Sequence, residues 1–164
     1  MQLFEGNWIP VSTSDNRARG LFARHYSFRH KGKAIKPSTI TAPGEHLVLL
    51  TQNCDALFVW VAERIRHDNQ TGINCAVFRN ESKLLASELI KEADALAWVK
   101  WPHERLFTYV DGEKINRFND RHKRNRPAGY CFLKAGWRYI LDNNGEKLRS
   151  SKGLYLLEMY PEWA

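Results

Sequence analysis

Cysteine is scarce in this 164-residue chain, and long apolar runs are missing from it. The three cysteines, Cys54, Cys75 and Cys131, are odd in number and far apart, so we expect reduced thiols in a cytosolic protein and neither a disulfide framework nor a zinc site. No segment approaches the roughly 20 apolar residues that a membrane span requires. The N-terminus has no basic stretch followed by a long apolar one, so we expect no secretory signal and a cytoplasmic location.

What the chain does contain is the composition of a globular domain. Apolar residues make up 43% and aromatic residues 12% of the sequence, which is enough for a core and too much for a disordered chain. The length fits one core, so we expect residues 1–164 to form a single domain.

The net charge of +7 is concentrated in two segments. Residues 1–44 carry seven cationic side chains and two carboxylates, and residues 112–126 carry six and two, which leaves the remainder at −2. Basic segments on a near-neutral body are typical of a protein with an anionic partner. Nucleic acid and a polyanionic cofactor both fit, and the alternative is a pair of solvated loops that keep the protein soluble.

Hydrophobic periodicity predicts the order α–β–β–β–α–β–α–β–β, an α/β fold with a largely antiparallel sheet. The predicted helices cover 15–27, 82–101 and 129–135. The predicted strands cover 47–50, 56–62, 73–78, 106–110, 137–140 and 154–159. A fold of this class limits function little by itself.

The segment 77–93 has the pattern of a strand, a short turn and a helix start. A helix N-terminus presents unpaired N–H groups and a positive dipole end, which suits a pyrophosphate. The run 86–93 resembles the helix opening of the GNAT acyltransferases, whose loop reads Arg/Gln-x-x-Gly-x-Gly/Ala. Ala86 matches the last position, whereas Glu81 and Leu84 replace the Arg/Gln and the Gly. An ordinary amphipathic core helix explains the run equally well.

This resemblance implies a site for acetyl-CoA, or another acyl-CoA, in a GNAT-like mixed sheet flanked by helices. The two departures weaken the match, because Glu81 is expected to repel phosphate and Leu84 to hinder close approach to the backbone; Lys83 and Arg79 partly offset the lost charge. The implied cofactor-binding residues are Val77, Phe78, Arg79, Ser82, Lys83, Leu84, Leu85 and Ala86.

A second segment, 129–137, resembles the late helix and strand of the same family, usually written Tyr-Glu-Lys-x-Gly-Phe. Lys134, Gly136 and Trp137 agree with that pattern. Phe132 stands where the family has the tyrosine that protonates the departing CoA thiolate. Tyr130, about half a helical turn earlier, is the expected substitute, and a packing role for Tyr130 is the alternative.

Short blocks across most of the chain resemble the Mom-like group, which comprises GNAT-related proteins of bacteriophages and some bacteria. The blocks, in family order, are 24–27, 55–60, 74–81, 87–90, 108–110, 129–132 and 152–154. The longer and more basic loop 112–126 departs from the group. The resemblance implies a DNA-modifying enzyme that adds a carbamoylmethyl group to the exocyclic nitrogen of adenine and so protects DNA from restriction. A phage-encoded protein of this kind acts in the host cytoplasm.

The Mom-like resemblance also implies catalytic residues. It groups His25 and Tyr26 with Asp111 as a metal-binding set for a divalent metal such as iron, and it turns Ser87 and Tyr130 toward the acyl group. A backbone N–H on strand 73–78 would polarise the thioester carbonyl. Helical spacing places His25 on an inward face, where it either serves this set or is a satisfied core histidine.

The Mom-like resemblance implies DNA as the acceptor, and the two basic segments are consistent with DNA. An adenine amino group inside a duplex is out of reach of a cleft enzyme, so the base is flipped out or taken from a single strand. The expected phosphate-binding residues are Arg24, Arg29, Lys31 and Lys33 on one side and Arg121, Lys123, Arg124 and Arg126 on the other. Neutralising about five phosphates gives a salt slope of about −4 to −5.

Two alternatives remain open at this stage. One is a GNAT enzyme acting on another amine, such as a protein lysine, an amino-modified thymine or a small molecule. The other is a catalytically inactive GNAT-like module that only binds nucleic acid.

Overall fold

A computed structural model describes residues 6–25, 35–36, 40–114 and 126–164 of the chain. Its helices are α1 (Asn16–Arg24), α2 (Ala86–Lys100) and α3 (Tyr130–Lys134). Its strands are β1 (Trp8–Val11), β2 (Gly44–Thr51), β3 (Ala56–Glu63), β4 (Ile73–Asn80), β5 (Leu106–Val110), β6 (Arg138–Tyr139) and β7 (Tyr155–Met159). A 3-10 turn, Pro161–Trp163, follows β7.

The described strands form one open sheet in the order β1-β2-β3-β4-β5-β7-β6. The β4–β5 pair is parallel, and the other described pairs are antiparallel. This arrangement confirms the α/β class and the largely antiparallel sheet. Parallel strands need a crossover connection, and α2 supplies it between β4 and β5.

The predicted element order was incomplete, because it omitted β1. This strand pairs with β2. The Trp8 indole is buried, and it donates a hydrogen bond to the Leu89 carbonyl at 2.8 Å. Pro10 lies within the strand, and proline is tolerated there because β1 is at the edge of the sheet. Four residues containing a proline give no readable period in sequence.

The sheet separates two cores. On one face the buried side chains of α1, Ala18, Leu21 and Phe22, pack on β2 and β3. On the other face α2 and α3 pack on the sheet over a cluster that includes the stacked indoles of Trp60 and Trp137. Among the described helices, none is both long enough and apolar enough to cross a bilayer.

The largest boundary error falls at the start of α2, which begins at Ala86 and not near 82. Side chains hold the preceding residues in a turn: Asn80 Oδ1 accepts from the Ser82 amide at 3.0 Å, and Ser82 Oγ accepts from the Leu84 amide at 3.1 Å. These short polar side chains compete with helical hydrogen bonds, which delays the helix by about one turn.

Candidate active site

The site begins with a bulge in the middle of β4. Val59 and Trp60 are neighbours on β3, yet they pair with Val77 and Cys75, so Ala76 is an extra residue on β4. The bulge reverses which face each later side chain occupies: Cys75 belongs to the core beneath α2, whereas Val77 belongs to the core beneath α1.

The parallel pairing between β4 and β5 stops at this bulge. Its register runs from Ile73–Leu106 to Cys75–Thr108, and no later residue of β4 pairs with β5 although both strands continue. The last pair is also joined by a side chain, because Thr108 Oγ1 donates to the Cys75 carbonyl at 2.9 Å. We call the unpaired region beyond this pair, between 76–80 of β4 and 109–110 of β5, the fork.

The backbone of Phe78 faces the fork. Asp55 immediately precedes β3, and its carbonyl accepts from the Glu81 amide at 2.8 Å. Asp55 and Glu81 are therefore a hydrogen-bonded pair of the antiparallel ladder. Antiparallel pairs alternate, so the N–H and C=O of Phe78, opposite Phe58, turn away from β3. The Phe78 backbone therefore faces the side where β5 has stopped pairing.

The N-terminus of α2 lies directly after β4 and is uncapped. Its N-cap residue is Leu85, which offers no side-chain hydrogen bond to the first helical amides. In the preceding turn, however, the amides of Glu81, Ser82 and Leu84 already have acceptors within the protein. The backbone amides that remain for a pyrophosphate are therefore those of the first helical turn, which starts at Ala86.

Glu81 does not present a bare carboxylate to this region. Its carboxylate accepts from Arg24 in a bidentate pair, at 2.8 and 2.9 Å, and from Arg79 Nε at 3.0 Å. These hydrogen bonds, led by the one from Arg24, lower the pKa of Glu81. The expected repulsion of phosphate is offset because two cations surround one anion; Arg24 is at the same time committed to Glu81.

His25 lies at the fork from the α1 side. It ends α1 and is buried, as the helical spacing predicted. The pKa of His25 is lowered to about 4, chiefly by burial and in addition by the cations Arg79 and Lys114, while a hydrogen bond to the Phe78 backbone acts in the opposite direction. The side chain is therefore neutral at pH 7 and touches the strand residue whose backbone faces the fork.

Two members of the expected metal set, His25 and Asp111, belong to the described residues, so the set as a whole stays a prediction. Asp111 Oδ1 accepts from the Lys114 amide at 3.2 Å and so starts the helical turn 112–114. The charges that act on His25 are cationic, which disfavours a metal cation beside it. Tyr26 lies outside the described residues, within which no group of His, Cys, Asp and Glu side chains is arranged to hold a metal.

The two aromatic residues of α3 occupy different environments. Phe132 is buried, with its ring 6.0 Å from that of Phe78 and 4.9 Å from that of Trp137. Tyr130 is half-buried, and the Arg126 guanidinium lies over its ring at 4.6 Å. Phe132 thus contacts the β4 arm of the fork through Phe78, and the proton-donor role of Tyr130 stays a prediction.

The remaining expected residues fall at two places. Ser87 is buried in the first turn of α2, next to Ala86. Of the expected phosphate-binding side chains, only Arg24 and Arg126 belong to the described ranges. The others, Arg29, Lys31, Lys33, Arg121, Lys123 and Arg124, lie outside the described residues.

Three features of the site carried no readable signal in the sequence. The bulge at Ala76 and the closing bond from Thr108 depend on strands far apart in the chain. The Arg24–Glu81 pair joins residues that are 57 positions apart. An isolated threonine in a predicted strand, or a glutamate after one, has no local feature that marks these roles.

Fold and site together define an α/β protein with an open mixed sheet, whose parallel strand pair forks beside an uncapped helix N-terminus. Comparison with known proteins found no matching family model, no matching curated protein and no matching solved structure.

Proposed function

We propose that this protein is an acyl-CoA-dependent acyltransferase of the GNAT type that modifies a nucleobase amino group in DNA. The observation that carries the proposal is the fork: pairing between two parallel strands ends at Cys75–Thr108, immediately at a bulge. Beyond this point the Phe78 backbone faces away from β3, on the strand that leads into α2. A thioester needs such a slot, because its carbonyl must approach a backbone donor edge-on while its phosphates reach a helix N-terminus.

In this proposal the donor lies along the β4 arm of the fork. The CoA pyrophosphate accepts hydrogen bonds from the first helical amides at Ala86 and Ser87, where no side chain caps the helix. Lys83 is exposed in the turn that precedes α2 and contributes charge. The pantetheine arm then runs past Arg79 toward Phe78, and Val77 packs beneath it in the α1-side core.

The chemical step is acyl transfer to an amine. The amine nitrogen attacks the thioester carbonyl, the Phe78 N–H stabilises the developing oxyanion, and the C–S bond breaks as the tetrahedral intermediate collapses. The amine releases its proton to solvent, and the CoA thiolate gains one from a protein group that solvent then reprotonates. Tyr130 is the proposed donor to the thiolate, and neutral His25 is the proposed group that orients the acceptor beside Phe78.

The acceptor in this proposal is the exocyclic nitrogen of adenine, as the Mom-like resemblance implies. Attack on a thioester carbonyl forms an amide, so the proposed product is an N-acyladenine; a carbamoylmethyl group is attached through its methylene carbon and does not form in this step. Two further observations support an anionic macromolecular acceptor over a small one. The net charge is +7, and the described side chains around the fork include Arg24, Arg79 and Lys114 against Glu81 and Asp111.

A second candidate is a catalytically inactive module that binds nucleic acid without an acyl donor. Two observations favour it: the Ser82 and Leu84 amides already have side-chain acceptors, and Phe132 occupies the position at which the family has its tyrosine. This candidate predicts DNA binding without acetyl-CoA binding.

Mass spectrometry of nucleosides from DNA of cells expressing the protein tests the proposal. The expected result is a mass gain on deoxyadenosine that is lost in His25→Ala and falls at least tenfold in Tyr130→Phe. His46→Ala, an exposed histidine on β2, is the matched control and should retain the modification. An unchanged nucleoside profile with wild-type protein would refute the enzymatic proposal.

A further inference from the structure

A basic and aromatic surface lies beside the fork, beyond the segments from which DNA binding was expected. Two tyrosines on adjacent strands, Tyr139 of β6 and Tyr155 of β7, pack edge to face at 6.1 Å. Lys147 Nζ lies 4.2 Å from the centre of the Tyr139 ring, and the Arg149 guanidinium lies 4.3 Å from that of Tyr155. We call these four residues the tyrosine platform.

The platform is rigidly built. The segment that carries its cations is tied back to the sheet by backbone hydrogen bonds from Leu148 to Ile140 and from Ser150 to Leu154, at 2.8 and 2.9 Å. Arg149 also forms an isolated bridge with Tyr155. The Tyr139 hydroxyl donates to the Ala128 carbonyl, which fixes its ring against the residues that lead into α3.

Within the described ranges, the cations of the platform contact aromatic rings and form no ion pair with a carboxylate. In the described part of the chain the ion pairs engage Arg17, Arg24, Arg66, Arg79, Lys91 and Arg105. Neither Lys147 nor Arg149 joins a carboxylate, and both are exposed. A guanidinium or ammonium on a ring face keeps N–H donors at its edge, so it can bind a phosphate oxygen without leaving the ring.

The platform adjoins the fork on its β5 side. Tyr155 pairs with Val110, the last residue of β5, so both lie at the end of the sheet where the fork opens. Gly112, next to Asp111, lies against the same ring, because a Cβ added there would fall 2.5 Å from Tyr155 Cε2. A polymer whose reactive unit enters the fork would therefore pass over Tyr155 with its neighbouring units.

We propose that the tyrosine platform binds the single-stranded DNA segment that flanks the target base. This inference rests on the proposed function, and it names the surface that presents the acceptor. Phosphates contact Lys147 and Arg149, and a base stacks on the exposed plane of the Arg149 guanidinium, which the Tyr155 ring supports from below. Lys152, exposed on the following turn, extends the cationic path, and segment 138–152 is net +2.

Fluorescence anisotropy with a labelled thymidine 20-mer tests the platform in the full chain. The test variant is Lys147→Gln/Arg149→Gln. The matched control is Arg64→Gln/Lys100→Gln, which removes the same charge at the opposite end of the sheet, where Lys100 also lies over an aromatic ring, that of Trp101, at 5.4 Å. Both variants carry net charge +5 in place of +7.

The test variant should bind the single strand about tenfold more weakly, with a salt slope smaller in magnitude by about 1.4, because two phosphate contacts at about 0.7 each are lost. The control should lose less than about twofold, as non-local charge is screened. The charge-keeping variant Lys147→Arg/Arg149→Lys should retain the slope. Equal loss in test and control variants, or no loss in the test variant, would overturn the platform, as would stronger platform-dependent binding of a polyglutamate peptide than of DNA.

Calorimetric titration of the test variant with acetyl-CoA separates this inference from the proposed function. The donor site lies on the other arm of the fork, so wild-type affinity for acetyl-CoA is expected in the variant. Platform-dependent strand binding in a protein that never binds acetyl-CoA would sustain the platform and refute the acyltransferase. Acetyl-CoA binding, together with strand affinity that does not depend on Lys147 and Arg149, would sustain the acyltransferase and refute the platform.

Discussion

The two halves of β4 differ in how they are paired, and that difference marks the candidate site. From Ile73 to Cys75 the strand is hydrogen-bonded on both sides, to β3 and to β5. From Ala76 to Asn80 it is bonded to β3 alone. One strand thus contains a closed half, which has a partner strand on both sides, and an open half, which has a partner strand on one side.

A single bulge in β4 separates the half that is paired on both sides from the half that is paired on one side. One extra residue, Ala76, moves the later side chains to the opposite faces of the sheet, and the pairing with β5 ends at Thr108, whose hydroxyl donates to the Cys75 carbonyl. Since an unpaired buried backbone group costs about 1–3 kcal/mol, the open half must be satisfied by a side chain, water or a ligand. His25 meets part of that demand at Phe78.

Substitutions beside the closed half of β4 are expected to have the largest effect on the free energy of unfolding. Trp60 lies opposite Cys75, is fully buried and donates to the Ala93 carbonyl at 3.1 Å. Trp60→Ala should lower the free energy of unfolding by about 3–5 kcal/mol, because it leaves a large cavity under α2. Urea denaturation measures this change. Leu85→Ala, at an exposed position beside the open half, should change it by less than about 0.5 kcal/mol.

The pH dependence of stability should report on His25 in the open half. The folded protein keeps this imidazole neutral down to a pKa of about 4, whereas the unfolded chain protonates it near 6.5. The stabilisation is therefore complete above pH 6.5 and is lost as the pH falls toward 4, up to about 3 kcal/mol in all.

Thermal or urea unfolding across pH 4–7 in the wild type and in His25→Gln tests this dependence. The glutamine variant should lack that component of the slope, and His46→Gln, which alters an exposed histidine, should keep it. Identical slopes in the wild type and His25→Gln would mean that His25 titrates normally and is not held at the fork.

The last rung before the fork should have an intermediate effect. Thr108→Val removes the buried hydroxyl that donates to the Cys75 carbonyl. We expect a loss of about 1–2 kcal/mol in the free energy of unfolding, and faster amide hydrogen exchange in β5. Thr108→Ser keeps the hydroxyl and should retain slow exchange; fast exchange in the serine variant would count against this role of the hydroxyl.

The smallest effect on stability is expected at the mouth of the fork. Glu81→Gln breaks the pairs with Arg24 and Arg79, which are largely exposed, so the free energy of unfolding should change by less than about 1 kcal/mol. Affinity for acetyl-CoA should rise a few-fold, because two cations are released toward the phosphates. Glu162→Gln, with the same charge change in the C-terminal 3-10 turn, should leave that affinity unchanged. Weaker binding in Glu81→Gln would place the phosphates elsewhere.

Sequence reasoning located the elements that bury one continuous apolar face. Strand 106–110 was predicted with the bounds that the structure has, and the inward position of His25 was confirmed, because periodicity reports burial directly. Strand β1 was missed, since four residues with a proline show no period. The start of α2 was wrong because Asn80 and Ser82 cap a turn that a hydrophobic stripe does not reveal.

The site was less accessible to sequence reasoning than the fold. That β4 leads into a helix N-terminus followed from local pattern alone, and the structure agrees. The bulge, the end of β4–β5 pairing and the pairing of Glu81 with Arg24 arise from contacts between distant segments. No local propensity encodes such contacts, so the sequence yielded the neighbourhood of the site and not its geometry.

Isothermal titration of the protein with acetyl-CoA, beside the variant Ala86→Pro, tests the central claim most directly. Ala86 is the first residue of α2 and follows an extended Leu85, so proline fits there and deletes a single amide N–H without disturbing the helix. We predict one acetyl-CoA bound per chain, with affinity reduced about fivefold to tenfold in Ala86→Pro and unchanged in Ala86→Ser, which keeps the amide. The absence of binding to the wild-type protein, or equal binding to all three proteins, would contradict the assignment of the fork and the α2 N-terminus as an acyl-donor site.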